Sequence, residues 1–322
     1  MILIISPPTD DHAVPVAREL ARRGKKHAIL DVAEFPEKAS ISISFEPGAS
    51  MRSSVRRDVG SFDFSDVESV WMRRLHAPQP HPALAEAGFA VAEVHHTLIG
   101  LGQALGHVRW VNRIGALAMD GGWGKVAQLD VARACGLEIP RTLVSNDPRR
   151  ALEFFDSCPG GAIHKPLASV ELPGRDRVWR ALFTEMLNRD YLVSRLDRVQ
   201  HCPLVFQELV PKHRELRVTV MGERVFACAL DSQSQEVSRV DYRHRYLSVP
   251  RERHALHVEV ERAIVSTLRA LGLVFGTADM ILTPDGRYVF LEVNQQGQFL
   301  WTADVFKEGE LLDSFCDLLE GR

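Results

Sequence analysis

The chain has 322 residues, 45% of them hydrophobic and 25% charged, a composition typical of folded globular proteins rather than of disordered, collagen-like or coiled-coil chains. Lysine and arginine number 39 against 42 acidic residues, and the net charge of -3 lacks the basic excess that binding to a nucleic-acid backbone requires. The five cysteines are odd in number and never spaced C-x-x-C, which argues against a disulfide framework or a zinc ribbon.

The N-terminal residues 1–115 alternate strand and helix patterns and predict an α/β domain. The predicted strands are 2–5, 27–32, 67–72 and 107–111, and the predicted helices are 13–23 and 84–105. Met1 is followed by only four apolar residues without a basic flank, so it begins no signal peptide. No apolar run approaches the ~18 residues of a membrane span. We therefore expect a cytoplasmic protein with no membrane partner.

A small, glycine-rich stretch at 118–124 indicates a domain boundary, and a central domain over 116–202 is expected to follow. Its predicted elements are helix 125–135 closed by Gly136, strand 139–144, helix 147–155 with Pro148 at its first position, and strand 161–167. Residues 169–190 show no clear period.

Strand patterns return in the C-terminal domain, 203–322, where two glycine turns predict hairpins. Gly222-Glu223 joins one pair of apolar runs, and Pro284-Asp285-Gly286 joins another. The predicted strands are 204–210, 216–221, 224–230, 276–282 and 288–293, and the predicted helices are 253–271 and 311–319.

The last hairpin brings acidic side chains together. With Asp285-Gly286 as a two-residue turn, Asp279 lies directly across from Glu292. Side chains alternate along a strand, so Glu292 and Asn294 share one face while Val293 points into the core. Opposed carboxylates repel unless a cation lies beside them, and a set of oxygen ligands suits Mg²⁺. The alternative is a solvated hairpin with unrelated acids.

A second polar group stands where an apolar strand ends. Gln207 and Glu208 have the side chains to bind an adenine edge or ribose hydroxyls, and Arg217 has the forked geometry that binds a phosphate. An exposed strand end is the alternative. Lys165 lies in an apolar strand, where a lysine is uncommon without an anion beside it.

Several common catalytic patterns are missing from the sequence. Gly124-Lys125 is followed by Val126 rather than by Ser or Thr, so it forms no P-loop. The 13 histidines show no metal-ligand spacing, and no G-x-S-x-G elbow supports a serine hydrolase. A nucleotide, if one is used, must be held in another way.

Segments spread over nearly the whole chain resemble the ATP-grasp ligases, and within them the graspetide synthetases of microviridin type, which modify ribosomally made peptides. These segments are Val70–Arg74, Val111-Asn112, Lys125–Leu129, Gly136–Thr142, His164–Leu167, Phe206–Glu208, Glu215–Thr219, Asp241–Arg243, Phe275–Asp279 and Phe290–Gln298. The resemblance implies an α/β (α+β) ATP-grasp fold. It would combine an N-terminal α/β pre-ATP-grasp domain, a small central domain and a C-terminal antiparallel-sheet domain.

The resemblance also implies which residues bind ATP. Two lysines would contact its phosphates, four residues would line the adenine, and one carboxylate would hold the ribose. The phosphate contacts would be Lys125 and Lys165, and the ribose carboxylate would be Glu215. The adenine would be lined by Gln207, Glu208, Leu209 and Val210.

Catalytic and metal-binding roles follow from the same resemblance. Arg217 and Arg243 look like the basic groups over the γ-phosphate and the acyl phosphate. Asp279, Glu292 and Asn294 match the family's Mg²⁺ ligands, which agrees with the hairpin register, and two ions are implied.

The implied reaction activates an Asp or Glu side chain of a precursor peptide as an acyl phosphate. A Ser or Thr hydroxyl or a Lys amine of that peptide then attacks, which gives a macrocyclic ester or amide. A leader segment of the precursor would dock on the enzyme. Arg73 and Arg74 match a pair on the substrate side. Family members are often dimers, so a homodimer is one expectation.

Two alternatives remain open from the sequence. A ligase that adds a free amino acid to a peptide or protein needs the same ATP site. A non-catalytic nucleotide-binding protein would be expected to lose the metal ligands, whereas Asp279, Glu292 and Asn294 are all present.

Overall fold

The computed structural model describes residues 1–113, 124–167, 171–173, 179–181, 184–244 and 247–322. The predicted boundary at 115/116 and the glycine-rich stretch before Gly124 lie outside the described residues. No described helix is both long and apolar enough to cross a membrane.

The N-terminal domain is built on a four-stranded parallel sheet, as the alternating pattern predicts. Its elements are β1 (Ile2–Ile5), α1 (Ala13–Arg22), β2 (His27–Leu30), β3 (Ala39–Ser44), β4 (Arg52–Arg57), β5 (Gly60–Asp63), β6 (Ser69–Met72), α2 (Ala87–Ala104) and β7 (Arg109–Val111). The sheet order is β2-β1-β6-β7, with every pair parallel. Just before α1, the Asp10 carboxylate accepts the backbone N–H groups of His12 and Ala13.

The three-stranded antiparallel meander β3-β4-β5 was not predicted from the sequence. β3 alternates serine with isoleucine, which is a strand pattern, but β4 reads Arg-Ser-Ser-Val-Arg-Arg and has a single large apolar residue, Val55. Val55 is fully buried. Pairing along the ladder therefore fixes β4 where local composition gives little indication of a strand.

The central domain holds a four-stranded antiparallel sheet of order β12-β9-β13-β8. The elements in this part of the chain are α3 (Lys125–Ala134), β8 (Thr142–Ser145), α4 (Pro148–Asp156), β9 (Ala162–Lys165), β10 (Glu171–Pro173), β11 (Trp179–Ala181), β12 (Glu185–Leu187), α5 (Arg189–Val193), α6 (Leu196–Val199) and β13 (Leu204–Glu208). Of these, α3 packs into the core of the C-terminal sheet rather than against the central sheet. Because β13 pairs with both β8 and β9, we propose that the second domain boundary lies after Glu208 rather than at 202/203.

The C-terminal domain is a five-stranded antiparallel sheet of order β16-β15-β14-β17-β18. Its elements are β14 (Arg214–Met221), β15 (Arg224–Leu230), β16 (Arg251–His254), α7 (Val258–Ala270), β17 (Phe275–Leu282), β18 (Tyr288–Asn294) and α8 (Glu310–Glu320). The predicted helix 253–271 is wrong at its start, because Arg253 and His254 pair with β15 as an edge strand. The predicted hairpin at Gly222-Glu223 is confirmed, since Met221 pairs with Arg224.

The last hairpin reaches the expected pairing by an unexpected route. The predicted two-residue turn is wrong: Gly286 N–H donates to Thr283 O at 3.0 Å, and Leu282 pairs with Tyr288 around a longer loop. A β-bulge between Asp279 and Met280 then shifts the register, so that Asp279 still faces Glu292. The longer turn and the β-bulge therefore shift the register in opposite directions, and the predicted pairing of Asp279 with Glu292 is kept.

Helices α1 and α8 join the N- and C-terminal domains through an apolar core and an ion-pair cluster. In the core, the rings of Trp71 and Phe315 meet edge to face with centroids 4.6 Å apart. Beside this core, Arg23 contacts one acid on α1 and three on α8. Its partners are Glu19 (2.7 Å), Asp313 (2.6 Å), Asp317 (2.8 Å) and Glu320 (3.1 Å).

Arg23→Ala is expected to lower the free energy of unfolding by about 2–3 kcal/mol, because four acids lose a largely buried guanidinium. Arg22→Ala is the matched control, since Arg22 also binds Glu19 but its side chain is 72% exposed. The control should cost less than about 1 kcal/mol. Urea unfolding measures both, and equal losses in the two variants would contradict this role of Arg23.

Acid stability should depend on Glu19. Hydrogen bonds from Arg22 and Arg23 lower the pKa of Glu19 from 4.5 to about 2. A depressed carboxyl pKa stabilises the folded state fully above the unfolded value, and this contribution is lost as pH falls from about 4.5 towards 2. Glu19→Gln should therefore show a shallower loss of stability over that window in urea unfolding, and an unchanged slope would refute the assignment.

Candidate active site

Three strands of the C-terminal sheet place Arg217, one of the two predicted catalytic arginines, on one face with the predicted metal-binding residues. Arg217 on β14 pairs with Asp279 on β17, which in turn pairs with Glu292 on β18. Asn294 lies two residues beyond Glu292, and Val293 between them is buried in the core, as strand alternation predicts.

Asp279 is held by a guanidinium and a phenol. Arg217 Nη1 donates to both of its carboxylate oxygens, at 2.9 and 3.0 Å, and Arg217 Nη2 donates to Gln298 O at 3.1 Å. Tyr242 Oη donates to Asp279 Oδ1 at 3.2 Å. Burial raises the pKa of Tyr242 well above its ordinary value, so the phenol stays protonated and remains a donor.

One lysine from another element contacts Glu292, and a second adds to the positive charge around it. Lys125 Nζ, at the start of α3, lies 3.2 Å from Glu292 Oε2 and also donates to Pro166 O at 3.0 Å. Burial acts to raise the pKa of Glu292, but the ammonium groups of Lys125 and Lys165 outweigh it and hold that pKa below its usual range. Glu292 is therefore ionised and surrounded by positive charge.

Lys165, at the end of β9, is buried, and no described residue forms an ion pair with it. Burial lowers the pKa of Lys165, and the negative charge of Glu292 opposes that shift. A buried ammonium without a direct anionic partner is costly, so the site favours an anionic ligand beside it.

The donor chemistry of this face suits Mg²⁺. Asp279, Glu292 and Asn294 supply two carboxylates and an amide oxygen, the hard oxygen ligands that this ion prefers. Within the described part of the chain, no three His, Cys, Asp or Glu side chains cluster as metal ligands. A metal here therefore depends on Asn294 and on oxygens brought by a ligand.

The predicted adenine-binding residues lie at the end of β13. Two of their side chains, those of Gln207 and Glu208, make hydrogen bonds within the protein. Gln207 is buried and donates through Nε2 to Thr142 Oγ1 at 3.0 Å. Glu208 Oε1 accepts the backbone N–H of Arg141 at 2.9 Å. These two hydrogen bonds join β13 to the segment before β8 and to β8 itself, and the side chain of Val210 just beyond β13 is buried.

Glu215 and Arg243 lie at the edge of the same face, each in an ion pair. Lys212 Nζ contacts Glu215 Oε1 at 3.0 Å, while burial raises the pKa of the Glu215 carboxyl. Arg243 Nε donates to Asp241 Oδ1 at 2.8 Å. The positive charge of Arg243 also lowers the pKa of Glu292, which places Arg243 in the field of the acids.

Arg73 and Arg74 lie on the N-terminal side of a neighbouring pocket. Arg73 Nε contacts Asp10 Oδ1 at 3.1 Å, and its Nη1 donates to Gln296 O at 2.6 Å. The pocket encloses about 590 Å³ between the Asp10 loop and the 298–301 segment. Because Gln298 O accepts from Arg217, the pocket adjoins the acids rather than forming a separate site.

The sequence predicts no role for four residues that have structural roles in this region: Tyr242, Asn112, Gln128 and His12. Burial, and then the charge of Arg73, lowers the pKa of His12 to about 4, so its ring is neutral at pH 7 where it lines the pocket. No spacing pattern could have found these residues, because each acts through contacts made by tertiary folding.

The chain is similar to known proteins in sequence and in fold. The family described as the MvdD pre-ATP grasp domain matches residues 1–118. A RiPP-associated ATP-grasp ligase from Chryseobacterium gregarium, solved with ADP and a leader and core peptide, is 28% identical with a TM-score of 0.90, over 99% of this chain and 96% of that one. The chain is an ATP-grasp ligase.

Two further solved structures are similar over their whole lengths. The macrocyclase MdnC from Microcystis aeruginosa MRC, bound with the precursor peptide MdnA, is 26% identical with a TM-score of 0.85, over 100% of this chain and 99% of that one. The macrocyclase MdnB of the same organism is 28% identical with a TM-score of 0.78, over 99% and 98%. No curated protein matches. The predicted family and the mixed α/β fold of this ligase are confirmed.

Proposed function

We propose that this ATP-grasp ligase is a graspetide synthetase, which closes rings in a ribosomally made precursor peptide. ATP phosphorylates an Asp or Glu side chain of the peptide and leaves as ADP. A Ser or Thr hydroxyl or a Lys amine of the same peptide then attacks the acyl phosphate, releasing phosphate and a proton. The product is a macrocyclic ester or amide.

The observation that carries this proposal is the convergence of cations on Asp279 and Glu292. Lys125 on α3 and Lys165 on β9 add positive charge from outside the C-terminal sheet, and Arg217 lies beside Asp279. Phosphoryl transfer needs positive charge spread around the moving group, held in place before the reaction. The peptide-bound relatives supply the expected class of substrate.

The ATP phosphates would lie against Lys125 and Lys165, with the base beyond β13 and the ribose near Glu215. The buried ammonium of Lys165 would thereby gain its anionic partner. Arg217 and Arg243 would neutralise charge on the transferring phosphoryl group and on the acyl phosphate. Tyr242 would keep the Asp279 carboxylate oriented through its hydrogen bond.

Asp279, Glu292 and Asn294 would hold Mg²⁺, and two ions are proposed because the acids and the nucleotide phosphates offer more oxygens than one ion needs. When bound, Mg²⁺ supplies charge neutralisation and polarises phosphate oxygens. Arg217 and Lys125 already compensate the two carboxylates, so they also limit repulsion between the acids before the metal arrives.

The core of the precursor would enter the pocket beside Arg73 and Arg74, next to Arg217. Guanidinium groups there fit a core rich in Asp and Glu, with Thr, Ser or Lys as nucleophiles. A leader segment would dock elsewhere on the enzyme and raise the local concentration of the core. We also propose a homodimer in the cytoplasm, where ATP and newly made precursor meet.

An acyl phosphate can be trapped, which tests the proposal against both alternatives. Enzyme, ATP, Mg²⁺ and a precursor whose nucleophiles are replaced by alanine should release ADP and, with hydroxylamine, yield a hydroxamate on the peptide. Hydroxamate formed only when a free amino acid or a protein terminus is supplied would favour the amino-acid ligase. No ADP with any peptide would favour the non-catalytic nucleotide-binding protein.

A further inference from the structure

Two buried amide side chains hold the edge strand that carries Glu292 and Asn294. Among the described strands, β18 is the edge of its sheet, and on its outer side Phe290 N–H donates to Glu138 O at 2.8 Å. On that side, Val293 N–H donates to Gln128 Oε1 at 2.8 Å. Just past the strand, Gln295 O accepts from Asn112 Nδ2 at 2.9 Å. We call Asn112 and Gln128 the amide clamp.

Gln128 couples the lysine to the strand. It lies three residues after Lys125 on α3, so the two side chains emerge from neighbouring positions on one helix face. Lys125 contacts the Glu292 carboxylate, and Gln128 contacts the backbone of the next residue, Val293. Gln128 is itself buried, with 4% of its surface exposed. Its bond therefore sets where α3 sits along β18.

Asn112 ties both strands of the hairpin to the N-terminal domain. Its Nδ2 donates to Phe275 O at 2.8 Å as well as to Gln295 O, and its Oδ1 accepts the N–H groups of Val274 at 2.9 Å and Phe275 at 3.1 Å. The side chain is 1% exposed. Asn112 thus fixes the start of β17 and the chain just beyond β18 relative to each other.

We propose that the amide clamp positions Glu292 and Asn294 for Mg²⁺ binding. The clamp holds the backbone at Val293 and Gln295, the residues that flank Asn294 and follow Glu292. On a strand the direction of a side chain follows its backbone, so a turn of these peptide planes would swing both ligands. Asn112 and Gln128 are positioning residues, and their role in metal binding rests on the proposed function.

The test uses Gln128→Met in the full chain, a change that removes the acceptor while keeping the side-chain volume. Calorimetric titration with ADP, with and without Mg²⁺, should show ~10-fold weaker binding in the presence of Mg²⁺ and unchanged binding in its absence. Hydrogen exchange of residues 288–296 without nucleotide should show faster exchange at Val293. Asn112→Leu is expected to have the same effect on Mg²⁺-dependent binding.

Val55→Ala is the control, because it destabilises a buried strand of the N-terminal meander that lies outside the clamp. An unchanged Mg²⁺ effect in folded Gln128→Met, or an equal loss in Val55→Ala, would overturn the inference. Wild-type protein that binds ADP no better with Mg²⁺ would instead overturn the proposed function. In that case hydrogen exchange still tests the amide clamp, because unchanged protection of the Val293 N–H in Gln128→Met would show that Gln128 does not hold the strand.

Discussion

Asp279→Asn is expected to reduce ligase turnover roughly 1,000-fold, because the substitution removes a charge that both Mg²⁺ and Arg217 require. Asparagine keeps the shape of the side chain but offers one carbonyl oxygen in place of two carboxylate oxygens. The rate of ADP release with a saturating precursor peptide measures the effect, and Mg²⁺ titration should show that added metal restores little of it.

Two comparisons make the Asp279 experiment decisive. Asp285→Asn changes an exposed carboxylate in the turn of the same hairpin, which binds Arg287 beside the turn, and should keep wild-type turnover. Because Asp279→Asn also leaves the buried Arg217 uncompensated, thermal unfolding must show that the variant is folded. A folded Asp279→Asn enzyme with near wild-type turnover would refute the metal site.

Lys165→Met is expected to lower turnover ~100-fold through weaker binding and stabilisation of the ATP phosphates. The free energy of unfolding should stay the same or rise by about 1 kcal/mol, because methionine fills similar volume without burying a charge. Lost activity together with retained stability would show that the Lys165 ammonium serves ligand binding rather than folding. Steady-state kinetics and urea unfolding measure the two quantities on the same preparation.

Lys26→Met is the control for Lys165, since Lys26 is an exposed lysine paired with Asp66 at the surface. It should change neither turnover nor stability appreciably. If Lys165→Met instead unfolds the protein and leaves the turnover per folded molecule intact, Lys165 has a structural role and the phosphate assignment is wrong.

The candidate metal ligands were predictable because their arrangement is local. Asp279, Glu292 and Asn294 belong to one hairpin, and strand alternation alone places Glu292 and Asn294 on one face. The turn itself was predicted wrongly, and only the bulge beside Asp279 preserved the pairing. A bulge depends on packing against β14 as much as on its own sequence, so hairpin rules cannot anticipate it.

The residues that support the acids could not be predicted in the same way. Asn112 bonds to Phe275, which is 163 residues away along the chain, and Tyr242 reaches Asp279 from a segment of short turns. The start of the predicted helix at Arg253 failed for a related reason, because pairing with β15 outweighed a local helical pattern. Contacts between residues far apart in the chain determine the roles of Asn112 and Tyr242 and the structure at Arg253. A single sequence does not show such contacts.

The most direct test of the account is the mass of the precursor peptide after reaction. Acidic peptides encoded beside the enzyme's gene, incubated with enzyme, ATP and Mg²⁺, should each lose the mass of one water for every ring bond formed. The loss should be absent with Asp279→Asn. A gain in mass equal to an added amino acid, or an unchanged peptide without ADP release, would contradict macrocyclisation by this chain.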